Sequence, residues 1–212
     1  MRTDIYVRYT DLTEVPEPAI NGLLDRLPPA QKTQLLRYHQ PIDRLRGAAG
    51  KLMLQAILQE QGYDAGVLDR LRADAYHRPF LDDSIDFNIT HSGNIVALAL
   101  SRNGRIGIDV EEIHDLDLHD YESFFNDKEL HSMRSHEFPM QRFFELWTKK
   151  EAVMKANGKG MHLPVHDIKL EGERAICEGV EWQLQSLSIR PGYACHLAAA
   201  WAATPDVREY FL

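Results

Sequence analysis

The chain has 212 residues, 44% of them hydrophobic and 26% charged, which excludes a wholly disordered chain and allows one large domain or two small halves. Its formal net charge of −8 argues against a general nucleic-acid binder. The longest apolar run, residues 95–100, is far shorter than the roughly 20 residues of a membrane span, and the charged N-terminus indicates no secretory signal. Because Cys177 and Cys195 match no metal-binding spacing, we expect a cytoplasmic protein with reduced core thiols.

The charges are unevenly distributed along the chain. Between residues 107 and 137, ten acidic residues are opposed by Lys128 and Arg134, so this stretch accounts for the whole net charge of −8. Residues 25–51 carry a net charge of +4 instead. Most of these residues are typical of solvated faces, but the split also suits a protein that holds a cation at one place and an anionic ligand at another.

The first part of the chain is predicted to contain a strand, several helices and two further strands. Residues 5–9 alternate like a strand, and apolar residues at helical spacing predict helices over 20–27 and after Pro29. Asp43 is the expected N-cap of a long helix that ends near Gln61, with Gly62 just beyond its end. After a turn at Arg78-Pro79, the pattern changes to strands over 87–89 and 95–100.

The second part repeats this order of helices and then strands. Asn103-Gly104 is a strong hairpin signal, which predicts that strand 95–100 pairs with the next strand, 106–110. Helices are expected over 121–134 and 140–157, and strands over 168–170, 182–189 and 193–202. The order predicts an α+β fold of two similar α/β halves, 1–104 and 105–212, with mainly antiparallel strands and the two halves packed as one unit.

Two carboxylates lie on one face of the strand that contains Ile106-Gly-Ile-Asp109-Val-Glu111. Alternate residues of a strand share a face, so Asp109 and Glu111 point together, away from Ile106, Ile108 and Val110. Two adjacent carboxylates repel each other unless a cation or hydrogen-bond donors lie between them, and Mg²⁺ prefers oxygen ligands of this kind. A half-exposed strand with an outward polar face is the alternative interpretation.

A third carboxylate interrupts the apolar side of the helix predicted over 140–157. Glu151 lies on the same side as Phe143, Trp147 and Met154, and a buried carboxylate is costly unless it is paired or bound to a metal. Lys155 follows four residues later, which predicts that its ammonium lies beside Glu151. A surface ion pair remains the alternative.

A turn after the strand over 87–89 offers groups that suit an anion. Thr90, His91 and Ser92 provide hydroxyls, an imidazole and backbone N–H groups there. Arg46 and Arg78 are further candidate anion contacts, although each of these residues alone is more typical of an ordinary loop or surface position. The chain contains no zinc pattern, P-loop, dinucleotide-binding glycine motif or serine nucleophile elbow.

Together these motifs resemble a known family. Ile106-Gly-Ile-Asp109-Val-Glu111, followed by Leu-Trp147-Thr-Lys-Lys-Glu151-Ala-Val-Met-Lys155, is similar to the signature of 4′-phosphopantetheinyl transferases. Asn88-Ile-Thr90-His91-Ser92, preceded by Arg78-Pro79, resembles the additional motif of their long, surfactin-synthetase-activating type. The resemblance covers residues 29–164 and implies a pseudo-twofold α+β fold with the active site between the halves.

The resemblance also implies a reaction. The enzyme would transfer the 4′-phosphopantetheine group of coenzyme A, its co-substrate, to a serine of an apo acyl or peptidyl carrier protein. Mg²⁺ would be required, and adenosine 3′,5′-bisphosphate would be released. The long form suggests an enzyme of secondary metabolism. We expect a monomer, with no nucleic-acid or membrane partner.

By position, the family's roles fall on residues of three motifs. Asp109, Glu111 and Glu151 would hold the metal, Glu151 would also help to deprotonate the carrier serine, and Lys155 would neutralise charge on the pyrophosphate. The coenzyme A contacts would be Thr90, His91 and Ser92 at the phosphates, with His91 and Arg46 near the 3′-phosphate, and Arg78 and Pro79 against the adenine.

The chain departs from the family pattern at the start of its second helix. Ala30 and Gln31 stand where many members carry Lys or Arg, which puts that phosphate contact in doubt, although Lys32 is nearby. Arg78 stands where some relatives carry lysine, and Glu129 resembles a family position without an assigned role. A Mg²⁺-dependent phosphoesterase and a binding domain without turnover remain alternatives to the transferase.

Overall fold

Two units, each with its own main sheet, make up the computed structural model, which describes residues 4–212. The first unit extends to Asn103 and also contains Thr204–Leu212, and the second is Gly104–Ala203. The predicted halves, 1–104 and 105–212, differ from these units at the C-terminus. Strand β11 (Asp206–Glu209) belongs to the first unit because it is the parallel partner of β1 (Ile5–Asp11).

The first unit consists of helices on a four-stranded sheet. Its main sheet has the order β11-β1-β5-β4, in which every pair except β1–β11 is antiparallel, and β2 pairs with β3 separately. The elements after β1 are α1 (Ala19–Asp25), α2 (Pro29–Leu35), α3 (Pro41–Glu60), a 3₁₀ helix (Val67–Arg70), β2 (Arg72–Ala73), β3 (Pro79–Phe80), β4 (Asp86–Ser92) and β5 (Ile95–Ser101).

Helix α3 begins earlier than its sequence predicts. Gln40 is the N-cap and Pro41 begins the helix, so the prediction that Asp43 is the N-cap is wrong. Proline is well tolerated in the first turn because its missing N–H has no partner there, and Asp43 lies in the same turn, where the helix dipole favours an acid. The helix ends as predicted, with Gly62 beyond it at φ 95°.

The hairpin of the first unit is not the predicted one. Gly93 and Asn94 join β4 to β5 as a two-residue loop, with Ser92 opposite Ile95 and Gly93 at φ 51°. The predicted pairing across Asn103-Gly104 is wrong. Strand β5 pairs with β1 and β4, whereas β6 (Ile106–Glu112) pairs with β10 (Tyr193–Ala199). Partners distant in the sequence therefore override the local turn signal.

The second unit carries the carboxylate motifs. Its antiparallel sheet has the order β6-β10-β9-β8-β7, with β6 at one edge. Between β6 and β10 lie a 3₁₀ helix (Leu118–Phe124), α4 (Asp127–Arg134), α5 (Pro139–Asn157), short 3₁₀ turns (Gly160–His162 and Val165–Asp167), β7 (Lys169–Glu171), β8 (Arg174–Cys177) and β9 (Val180–Ser186). The helix predicted over 121–134 is thus divided, because Asn126 and Glu129 form a capping box that starts α4 at Asp127.

The two units share one topology. In each, a first strand is followed by helices and then by further strands, and the spatial orders β1-β5-β4 and β6-β10-β9 correspond. The registers agree as well, since Ile5 faces Ser101 and Ile106 faces Ala199. The predicted α+β class, with two similar halves and mainly antiparallel strands, is confirmed.

Each unit has apolar residues buried against its sheet. In the first, α3 packs mainly on β5, and α1 and α2 pack on α3; in the second, α5 packs on β6 and β10. Cys177 and Cys195 are both buried thiols. Within residues 4–212, no helix combines the length and the apolar character needed to cross a membrane.

Candidate active site

Strand β6 buries the first carboxylate of the second unit. Ile106, Ile108 and Val110 are fully buried, and Asp109 and Glu111 lie on the opposite face, as their alternation predicts. Asp109 is only 2% exposed and Glu111 is half-buried. An ionised carboxylate at such depth requires a compensating positive charge.

Gly107 lets helix α5 approach this strand closely. A Cβ atom at Gly107 would lie 2.0 Å from the carbonyl oxygen of Ala152 and 2.4 Å from the amide nitrogen of Ala156, which is closer than real atoms approach. Only glycine therefore permits this contact. The contact brings the α5 residues on either side of Ala152, Glu151 and Lys155, down to the face of β6 that carries Asp109.

Lys155 supplies the positive charge that Asp109 needs. Its Nζ lies 2.5 Å from Asp109 Oδ1, and the side chains are 27% and 3% exposed respectively. The sequence predicts that the Lys155 ammonium lies beside Glu151, and its charge does act on Glu151, but its salt bridge is with Asp109. The reason is burial, since Asp109 is the deeper of the two carboxylates.

Glu151 has an unusual proton affinity. Its pKa is raised from 4.5 to about 6, first by burial and then by the negative charges of Asp109 and Glu111, while Lys155 opposes the shift. The charges of Asp109 and Glu111 on β6 therefore act on Glu151 of α5. A carboxyl group that titrates near neutral pH is suited to accept a proton from a substrate.

The carboxylates do not form a complete metal cage by themselves. In the part of the chain that the structure describes, no three His, Cys, Asp or Glu side chains are arranged to hold a metal ion together. Asp109, Glu111 and Glu151 nevertheless provide oxygen donors of the type that Mg²⁺ prefers.

Two buried polar contacts hold the part of α5 just before Glu151. Lys150, fully buried, lies 2.9 Å from Glu129 Oε2, and its Nζ donates to the carbonyl oxygen of Phe124 at 3.0 Å. Thr148, also fully buried, lies 2.7 Å from the Nδ1 atom of His196 on β10. The sequence pattern does not reveal either contact, because the partners lie more than 20 residues apart.

The first unit brings Arg46 to the predicted anion-binding turn. Arg46 on α3 donates from Nε and Nη2 to the carbonyl oxygen of Gly93, at 3.0 and 2.5 Å, and its Nη1 lies 3.2 Å from Asp43. Gly93 directly follows the three predicted contact residues at the end of β4. Of these three, Thr90 is buried, Ser92 is half-buried and His91 is exposed.

Arg78 lies at the other end of β4. Its side chain is 5% exposed, and its Nη2 atom lies 2.7 Å from Asp86 and 3.1 Å from the carbonyl oxygen of Phe87, whereas Pro79 is exposed. The distance from Asp86 to Thr90 along a strand is roughly 13 Å. These contacts place the Arg78 guanidinium at the start of β4, at the opposite end of the strand from Thr90–Ser92.

The start of α2 explains one departure from the family pattern. Gln31 accepts from Lys51 Nζ at 2.6 Å and donates to the carbonyl oxygen of Leu68 at 3.0 Å, so it has a structural role in the first unit. Lys32 forms an ion pair with Asp25.

Comparison with known proteins identifies the family. The model of the 4′-phosphopantetheinyl transferase superfamily matches residues 105–203. The 4′-phosphopantetheinyl transferase gsp of Aneurinibacillus migulanus is 32% identical over 160 residues, which cover 74% of this chain and 67% of that protein. This chain belongs to the 4′-phosphopantetheinyl transferase superfamily. Both the family and the enzyme class predicted from the motifs are confirmed.

Other members of the superfamily match across both units of this transferase. The ffp protein of Bacillus subtilis is 30% identical over 185 residues, covering 82% of this chain and 80% of that protein. Sfp of Bacillus subtilis strain 168 is 27% identical over 193 residues, covering 85% and 84%. The similarity to relatives of the long type therefore extends beyond the family model to the first unit.

Proposed function

We propose that this transferase moves the 4′-phosphopantetheine group of coenzyme A to a serine hydroxyl of an apo acyl or peptidyl carrier protein. Family membership supports the reaction class. The observation that carries the assignment to particular residues is the partly buried Lys155–Asp109 ion pair beside Glu151, whose pKa the charges of Asp109 and Glu111 raise. Phosphoryl transfer depends on positioning and on charge neutralisation more than on covalent help from the protein.

The serine oxygen attacks the phosphorus next to the pantetheine, and the bond from this phosphorus to the bridging oxygen of the pyrophosphate breaks. Adenosine 3′,5′-bisphosphate leaves with that oxygen, and the serine proton passes to Glu151, directly or through water. A pKa near 6 lets Glu151 be ionised at neutral pH and still accept a proton. Lys155 neutralises the charge that develops on the leaving phosphate.

The donor set fits a magnesium ion held jointly with phosphate. Magnesium usually binds through one or two carboxylates, substrate phosphates and water rather than in a cage made by protein alone. Asp109, already paired with the cation of Lys155, and Glu151 would be the main ligands, with Glu111 completing the set, and the bound ion would neutralise phosphate charge.

Residues of the first unit would contact the nucleotide. Thr90, His91 and Ser92 would contact the phosphates, and Arg46 would lie near the 3′-phosphate with His91. Arg46 is already held at the Gly93 carbonyl, which supports this position. Pro79, exposed at the start of β3, would lie against the adenine, with Arg78 supporting that turn through Asp86.

The test is the intact mass of apo carrier proteins incubated with the enzyme, coenzyme A and Mg²⁺. We expect a gain equal to one 4′-phosphopantetheine group, located on the carrier serine and absent when Mg²⁺ is chelated. A Ser→Ala carrier is the control. Phosphoester hydrolysis without carrier modification would instead favour a phosphoesterase, and neither product across a panel of carriers would contradict the proposal.

A further inference from the structure

A buried hydrogen bond joins helix α5 to the sheet beside the carboxylates. Thr148 on α5 is fully buried, His196 on β10 is 3% exposed, and Oγ1 lies 2.7 Å from Nδ1. Thr148 is three residues before Glu151, or about one helical turn. The bond therefore acts on the part of α5 that carries the proposed base.

The direction of this bond follows from the second contact of Thr148. Its Oγ1 lies 2.6 Å from the carbonyl oxygen of Phe144, which can only accept a hydrogen bond. The hydroxyl has one hydrogen and donates it to that carbonyl, so Oγ1 accepts from Nδ1–H of His196. His196 is accordingly a neutral ring with its proton on Nδ1. Burial, together with the positive charges of Lys149 and Arg142, lowers the pKa of His196 to about 3, which keeps the ring neutral.

His196 lies next to the most buried carboxylate. In the antiparallel ladder of β10 and β6, His196 is directly opposite Asp109, so the two side chains share a face of the sheet. The Thr148–His196 bond thus connects the turn before Glu151 to the strand position beside Asp109. On the far side of Glu151, the Lys155–Asp109 pair makes the second connection.

The Lys155–Asp109 ion pair and the Thr148–His196 hydrogen bond differ in whether substrate binding disturbs them. Lys155 and Asp109 are both proposed to interact with phosphate or metal, so their ion pair is exposed to competition when substrate binds. The Thr148–His196 bond is neutral and involves no reacting group. It can keep α5 in place while the charged contacts rearrange.

We propose that His196, acting through Thr148, is a positioning residue that sets the spacing between Glu151 and Asp109 and thereby the affinity of the metal site. The inference rests on the proposed function, because it assumes that these carboxylates share a metal. Removing a contact that orients a metal ligand commonly lowers the affinity for the metal by about 10- to 100-fold, and we expect a loss of about this size here.

The test is equilibrium binding of Mn²⁺ to the full chain with coenzyme A and without carrier protein. The electron paramagnetic resonance spectrum of the free ion measures how much Mn²⁺ remains unbound. Thr148→Val keeps the shape of the side chain but removes the hydroxyl, and should weaken Mn²⁺ binding by about tenfold. Thr148→Ser keeps the hydroxyl and should bind like the wild type. His196→Asn keeps a donor near the Nδ1 position and should lose less affinity than His196→Leu.

A matched control distinguishes positioning from a general loss of stability. Ser135→Ala removes a hydroxyl that donates to the carbonyl oxygen four residues earlier, at His131, in the same unit. It should leave Mn²⁺ affinity unchanged. The double variant of Thr148→Val and His196→Leu should bind Mn²⁺ no more weakly than the weaker-binding single variant, because both substitutions remove the same hydrogen bond.

Several results would overturn the inference. Wild-type affinity in Thr148→Val, or additive losses in the double variant, would exclude the positioning role. A nitrogen NMR spectrum of the wild type that puts the His196 proton on Nε2 would do so without any variant. If Asp109→Ala also binds Mn²⁺ with wild-type affinity, the metal site assumed in the proposed function is wrong.

Discussion

Replacing Glu151 by glutamine should separate the catalytic value of this carboxylate from its cost to stability. The substitution keeps the size of the side chain but removes its charge and its ability to accept the serine proton. We expect Glu151→Gln to abolish transfer to the carrier. We also expect it to stabilise the fold at neutral pH relative to the wild type.

The size of the stability effect follows from the pKa of Glu151. The folded-state pKa is about 6 and the ordinary value is 4.5. A raised pKa favours the folded state below pH 4.5, and this contribution is lost as the pH rises through 6. With about 1.4 kcal/mol for each tenfold change in proton affinity, the loss amounts to about 2 kcal/mol at most.

Thermal melts of the two proteins between pH 4.5 and 7.5 measure this loss. Glutamine does not titrate, so the variant's Tm relative to that of the wild type should rise across the range by about 4–8 °C for a chain of this size. Comparing the two proteins cancels the other titrating groups. A Tm difference that does not change with pH would refute the reasoning.

Glu145→Gln is the matched control for the chemical change. Glu145 lies on the same helix, 30% exposed and 3.2 Å from Arg142. Its replacement should leave transfer to the carrier intact, because Glu145 is not one of the three carboxylates assigned to the site. Loss of transfer in this control would show that any glutamine on α5 disturbs the site.

Three further predictions concern other parts of the structure. Gly107→Ala should lower the free energy of urea unfolding by about 3 kcal/mol or more, because its methyl group would meet backbone atoms of α5. Gly22→Ala in α1 is the control and should be neutral or stabilising, because a Cβ atom there has nothing within 4 Å. Equal effects of the two substitutions would argue against the close contact at β6. Lys150→Met should lower the free energy of unfolding by about 3–5 kcal/mol, because it leaves the Glu129 carboxylate buried without its partner. Adding Glu129→Leu should recover part of this loss, and additive losses in the double variant would contradict this prediction. His91→Ala should raise the KM for coenzyme A more than that for dephospho-coenzyme A, and an equal rise for both would exclude a contact to the 3′-phosphate.

Local patterns were sufficient to predict the elements that carry the candidate site. The alternation of Ile106, Ile108 and Val110 indicates which face of β6 is buried, and so it also predicts that Asp109 and Glu111 point the other way. The apolar spacing around Glu151 predicts helix α5 and its partly buried carboxylate. These features depend on the periods of strands and helices, which a sequence displays directly.

Partners that are distant in the sequence account for the errors. Asn103-Gly104 has the composition of a hairpin turn, but β5 and β6 find their neighbours in β1 and β10. Helical spacing correctly makes Lys155 a neighbour of Glu151, yet Asp109 is the deeper carboxylate and takes the ion pair. The Thr148–His196 bond joins residues 48 positions apart, and neither residue belongs to a periodic pattern that would mark it.

The most direct test of the account is a crystal structure with coenzyme A and Mn²⁺, in which anomalous scattering locates the metal. We expect one ion bound to the carboxylates of Asp109 and Glu151 and to an oxygen of the pyrophosphate. If the ion lies elsewhere, or if the two carboxylates point away from each other and from the pyrophosphate, the proposed chemistry is wrong.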